Sequence, residues 1–177
     1  DKTLRTYNSN GFRIWRIECD GEFKTIMDCV EDEMDIRLNY TNAQDHVPAA
    51  ERNNRTIKES FRTGLHQTPF KAIPRVMIED LAIARTDMLN WFPARHGASK
   101  YYSPMTIVTG KTLNYEKDCK YDFGADVQAH TQGNPTNTMN ERTIDCIYLR
   151  PNQNDQGGHI LLNLNSGKRI TCGRVTE

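Results

Sequence analysis

The chain has 177 residues, of which 37% are hydrophobic and 26% charged, with 23 basic residues balancing 23 acidic ones. That length holds one ordinary domain, or a truncated domain with a small companion. The composition excludes three classes: zero net charge gives no global field toward a polyanion, no apolar run approaches a membrane span, and five scattered cysteines offer neither a zinc pair nor a disulfide framework.

In chain order, Phe12 to Cys19 reads as a strand, set off upstream by Asn8-Ser9-Asn10-Gly11. Asp20 follows at its C-terminal end, where α/β sheets place ligands and catalytic groups. Phe23, Ile26, Met27, Val30 and Met34 recur at helical spacing and predict an amphipathic helix with an acidic outer face. Ile36, Leu38 and Tyr40 alternate as a short strand, and 41–46 is a polar loop.

Pro48 opens a long helix, tolerated there because its missing N–H has no partner in a first turn. Gln67-Thr68-Pro69 ends it. Ala50, Ile57, Phe61 and Leu65 form its expected buried stripe, while Glu51, Arg55, Lys58 and Arg62 share a wet face at i, i+4, i+7 and i+11. A second helix runs from Pro74 to about Asn90, with Met77, Leu81, Ala84, Met88 and Trp91 toward a core.

From 100 to 122 the composition is mixed and loop-like. Beyond it come four short strands, 126–130, 143–149, 158–164 and 168–175, the last two joined by the turn Asn165-Ser166-Gly167. Such strands suit a small barrel.

Charge is unevenly placed. Residues 20–35 carry Asp20, Glu22, Asp28, Glu31, Asp32, Glu33 and Asp35 against Lys24 alone, and residues 52–75 carry Arg52, Arg55, Lys58, Arg62, Lys71 and Arg75 against Glu59 alone. Either these are two solvated helix faces, or they set carboxylates that suit Mg²⁺ beside cations that hold a phosphodiester backbone. Asp20 is equally a turn residue before Gly21, and Glu51 equally a first-turn acid complementing the helix dipole. Asp45 and His46 sit just ahead of Glu51. His66, His96, His130 and His159 share no ligand spacing and read as structural or exposed; Trp15 and Trp91 read as core. Lys168, Arg169 and Arg174 either touch DNA or guard an edge strand with charge.

Several segments together resemble the integrase of copia-type retrotransposons, over nearly the whole chain. Glu18-Cys19-Asp20-Gly21-Glu22-Phe23 is similar to the family's Asp-Asn-Gly-Gly-Glu-Phe segment. The helix Val47-Pro48-Ala49-Ala50-Glu51-Arg52-Asn53-Asn54-Arg55-Thr56-Ile57 resembles its Gly-Val-Ala-Glu-Arg-x-Asn-Arg-Thr-Ile helix. Ser103-Pro104 and Thr109-Gly110-Lys111 resemble landmarks after the catalytic core, and Cys146 to Leu149 with 158–175 resembles the small β segment downstream.

The resemblance implies an α/β fold: a truncated RNase H-like core over 1–98, a linker over 99–122, and a small, mostly β, SH3-like barrel over 123–177. It makes Asp20 and Glu51 the second and third acids of a DDE-type polynucleotidyl transferase, ligands of Mg²⁺ or Mn²⁺ in two-metal phosphoryl transfer. Arg52, Arg55, Lys58 and Arg62 would lie along the DNA backbone, positioning a duplex without reading its sequence. The family's first acid and its zinc-binding segment have no counterpart here, so the chain, which opens on Asp1 without a methionine, is expected to be a piece of a longer protein and inactive alone. The expected setting is intracellular, in the nucleus or a virus-like particle, without a membrane and as a homo-oligomer of the full-length protein. Two function classes follow: a fragment of a DNA strand-transfer enzyme, or a non-catalytic nucleic-acid-binding or assembly module that kept the fold.

Overall fold

A computed structural model describes residues 2–25, 36–41, 47–95, 97–130, 139, 141–154 and 156–177. Most of the acidic helix expected over 23–34, the loop holding Asp45 and His46, and His96 lie outside them. The fold is mixed α/β. Helices α1 (Lys2–Ser9), α2 (Pro48–Gln67), α3 (Arg75–Trp91), α4 (Pro104–Thr109) and α5 (Tyr115–Asp118) accompany strands β1 (Arg16–Asp20), β2 (Arg37–Thr41), β3 (Asp126–His130), β4 (Thr143–Pro151), β5 (His159–Asn163), β6 (Arg169–Cys172) and β7 (Val175–Thr176). Contacts divide the chain into two compact units, Asp1–Glu59 with Trp91–Thr112, and Ser60–Asn90 with Leu113–Glu177.

In the first unit β1 and β2 run parallel, in register from Arg16 opposite Arg37 to Asp20 opposite Thr41. The strand expected from Phe12 begins only at Arg16, because the ladder starts where Arg37 donates its N–H to Trp15 O. Trp15 therefore precedes the paired residues and is 63% exposed, not a core residue as expected. Gly21 turns the chain out of β1: a Cβ there would lie 3.2 Å from Thr41 O, so the tight exit suits glycine. Helix α4 explains two sequence landmarks locally. Ser103 Oγ accepts from Thr106 N as N-cap, Pro104 follows in the first turn, and Gly110 closes the helix at φ 70°.

The second unit is built on an antiparallel sheet of order β6-β5-β4-β3-β7. In β4, Cys146 and Tyr148 face one cluster with Tyr121, Val127, Ala129, Leu161, Cys172 and Val175, while Ile147 and Leu149 face another with Met77, Ile160 and Leu162. A central strand buried on both faces reads as a continuous apolar run, which is what Cys146-Ile147-Tyr148-Leu149 is. Met77 and Val76 of α3, with Phe70 and Ile73 before it, cover the second face. By contacts residues 60–90 fall in the same compact unit as the sheet, where their apolar stripe has its partner.

The expected barrel is not closed. No ladder joins β6 to β7 among the described residues, and they are opposite edges of the sheet. Only Gly173 and Arg174 separate Cys172 from Val175, a span of at most about 11 Å. The sheet is therefore rolled until its edges approach, and Tyr121 pins the roll by donating its OH to Val175 O at 2.7 Å.

Helix α2 keeps the length expected of it, but its stripe is shallower. Ala50 is exposed and Ile57, Phe61 and Leu65 are half-buried, whereas Gly64 is buried. A Cβ on Gly64 would lie 2.2 Å from Arg85 Nε, so the glycine makes room for that guanidinium, which is bonded to Gln67 Oε1 at 2.6 Å.

Candidate functional site

Asp20 ends β1, at the carboxyl end of a parallel pair. Its backbone is extended (φ −71°, ψ 149°) and leads into a single 3₁₀ turn over Gly21–Phe23, yet its carboxylate makes no capping hydrogen bond to that turn. The turn-residue alternative thus lacks the bond that would support it. Beside it, burial and then the Asp20 charge push the Cys19 thiol up.

Glu51 lies in the first turn of α2, with its N–H bonded to Val47 O at 3.1 Å. Asp20 and Glu51 are both exposed and both belong to the first compact unit. Arg52, Arg55 and Lys58 share that unit; Arg62, further along the same helix, falls in the second. All four cations are exposed. Arg55 Nε pairs with Glu59 Oε1 at 2.8 Å, one turn on, and that hydrogen bond and charge raise its pKa further. A solvent-exposed pair of this kind yields readily to a phosphate.

Mg²⁺ takes hard oxygen ligands, retains several waters, and is commonly held by one or two carboxylates plus substrate phosphates. Two solvent-exposed carboxylates fit that donor chemistry. Among the described residues no group of three or more His, Cys, Asp and Glu is placed to hold a metal.

One buried charged cluster escaped the sequence reading. Asp80 of α3 is fully buried, with Arg150 Nε of β4 at 2.8 Å from Oδ1 and Arg169 Nε of β6 at 2.9 Å from Oδ2. The first contact is a hydrogen bond; the second is an ion pair whose N–H is not aligned for one. Arg169 also approaches Glu79 Oε2 at 3.6 Å. Arg169, expected to meet DNA or guard an edge, stands on the edge strand β6 and also pairs with Asp80, which ties α3 to the sheet. The signal available was Asp80 itself, a charge between Met77 and Leu81 on the apolar stripe, which demands a partner.

No protein-family model matches the chain, and no curated protein matches it. Among the described residues no helix is long and apolar enough to cross a membrane.

Proposed function

We propose that this chain is a fragment of a copia-type retrotransposon integrase. On this reading it carries the C-terminal part of an RNase H-like core and the following β domain. It binds DNA, and in the full-length protein it takes part in metal-dependent strand transfer. The observation that carries the reading is Asp20. It stands at the carboxyl end of a strand paired in parallel with β2, its carboxylate makes no capping bond, and a long helix follows that opens with Glu51 and a row of cations. The resemblance of the two segments that hold these acids adds to it.

In this role Asp20 and Glu51 would hold Mg²⁺ or Mn²⁺, which would supply activation of an attacking hydroxyl and charge stabilisation at the leaving oxygen of a phosphodiester. Arg52, Arg55, Lys58 and Arg62 hold the backbone through charge-assisted contacts that position a duplex. Assembly as a homo-oligomer, and action in the nucleus or a virus-like particle, belong to the same reading. The alternative is a module that binds nucleic acid without catalysis. The test is Mn²⁺ binding to the chain, followed by relaxation of water protons, with and without Asp20→Asn. Weaker binding in the variant supports the assignment; equal binding removes Asp20 from it.

A further inference from the structure

Two adjacent tyrosines stand bare on the first compact unit. Tyr101 is 86% exposed, the most exposed aromatic side chain among the described residues, and Tyr102 beside it is 62% exposed. Neither belongs to the metal site or to the α2 row of the reading above, so their role goes beyond it. We propose that these two rings, with the cations around them, bind single-stranded nucleic acid by stacking on its unpaired bases.

The backbone that carries the rings is tied on both sides. Before them, Ser99 Oγ accepts from the N–H of Tyr101 at 3.1 Å and from that of Tyr102 at 3.0 Å. After them, Ser103 is buried and caps α4 by accepting from Thr106 N at 3.1 Å. A segment held this way loses little freedom when it meets a partner. Two neighbouring rings displayed on a tied backbone differ from an apolar residue exposed singly, which needs no explanation.

Charge selects the partner. Residues 91–112 carry Arg95, Lys100 and Lys111 and no Asp or Glu, in a chain that holds 23 acids. Arg95 and Lys100 are exposed. Helix α1, which packs against α4, carries exposed Lys2 and Arg5 and again no acid. Rings among cations, without carboxylates in the same segments, match a polyanion that bears flat apolar groups, and single-stranded nucleic acid has both. A duplex keeps its bases stacked inward, so cations alone would hold its backbone and the rings would gain nothing. An anionic membrane also draws cations, but a helix lying in it needs an apolar face to bury. Met105 and Ile107 of α4 are already half-buried in the protein.

The test is binding of the full chain to a labelled oligothymidylate of about 12 nucleotides, followed by fluorescence anisotropy. Divalent metal is left out, so a failure of the metal site does not touch the result. Tyr101→Ala with Tyr102→Ala should weaken binding roughly tenfold or more, the scale of one lost base stack. Tyr101→Phe with Tyr102→Phe should retain it, because the ring stacks and the hydroxyl does not. Lys100→Gln should flatten the dependence of log K on log salt by roughly 0.7, one single-strand phosphate contact. Unchanged affinity in the alanine pair, or an equal loss in the phenylalanine pair, overturns the proposal. So does an equal loss against a duplex of the same length, which would mark backbone contact alone. Vesicles containing phosphatidylserine form the last arm: capture by them without single-strand binding assigns the surface to a membrane and overturns the proposal as well.

Discussion

Arg150 Nε lies 2.8 Å from Oδ1 of Asp80, a carboxylate with no exposed surface, joining strand β4 to helix α3 across 70 residues of sequence. This contact depends on an irregularity in β4. Tyr148 stands opposite Leu161 and Arg150 opposite Ile160, so Leu149 is an extra residue between them. Strict alternation would send Arg150 to the face of Cys146 and Tyr148. The bulge turns it to the face of Ile160 and Leu149, where α3 lies.

Removing the carboxylate takes from two arginines the buried counter-charge they share. Asp80→Asn should lower stability by roughly 3 kcal/mol, the scale for breaking a buried ion pair from one side. Arg169→Gln should cost clearly less, because that side chain is 40% exposed and water screens it. Urea midpoints at fixed pH check both, and equal losses would show that the clamp is not anchored at Asp80.

Asp87, two turns along the same helix, supplies a pH signature. Burial raises its carboxyl above the ordinary 3.8, opposed by Arg150 and by a hydrogen bond with Gln153. The folded chain therefore holds this proton more tightly than the unfolded chain. Its contribution is fully present below pH 3.8 and is lost as pH rises through the raised value. Asp87→Asn removes that loss, so the variant should gain on the parent as pH climbs from 3.8 in urea titrations. A constant difference across that window would place the Asp87 proton elsewhere.

The basic face of α2 yields to salt. Arg55→Glu combined with Lys58→Glu should weaken binding to a DNA duplex. It should also flatten the dependence of log K on log salt by roughly two, about 0.9 for each lost phosphate contact. Filter binding or anisotropy across salt concentrations measures this, and an unchanged slope takes both residues out of the interface.

Gly64 separates helix propensity from packing. In an Arg85→Ala background, Gly64→Ala should stabilise by about 1 kcal/mol through helix propensity alone. With Arg85 present the new methyl displaces the guanidinium from Gln67, and most of that gain should vanish. Thermal or urea unfolding of the four variants closes the cycle, and additive effects would refute the contact.

Local patterns were legible in this chain because they are local. Pro48 and the 3.6-residue period of 48–67 delimited α2; the Pro74 start and the Met77, Leu81 and Trp91 positions delimited α3; Asn165-Ser166-Gly167 marked the β5–β6 turn. The candidate acids Asp20 and Glu51 stood out by residue type and neighbours, and the structure sets them at a strand end and a first helical turn, as their patterns required. Depth of burial was less legible: Trp15 and Ala50 carry core chemistry yet lie outside the packed residues. What only the tertiary structure decided depends on partners far along the chain. The Leu149 bulge exists only against β5, and it alone sends Arg150 to Asp80. The approach of β6 and β7 depends on the whole roll of the sheet, and the packing of the His159 ring on Tyr121 from one stretch and Tyr148 from another. Periodicity reports which way a side chain points along its own segment; pairing register and packing determine what it meets there.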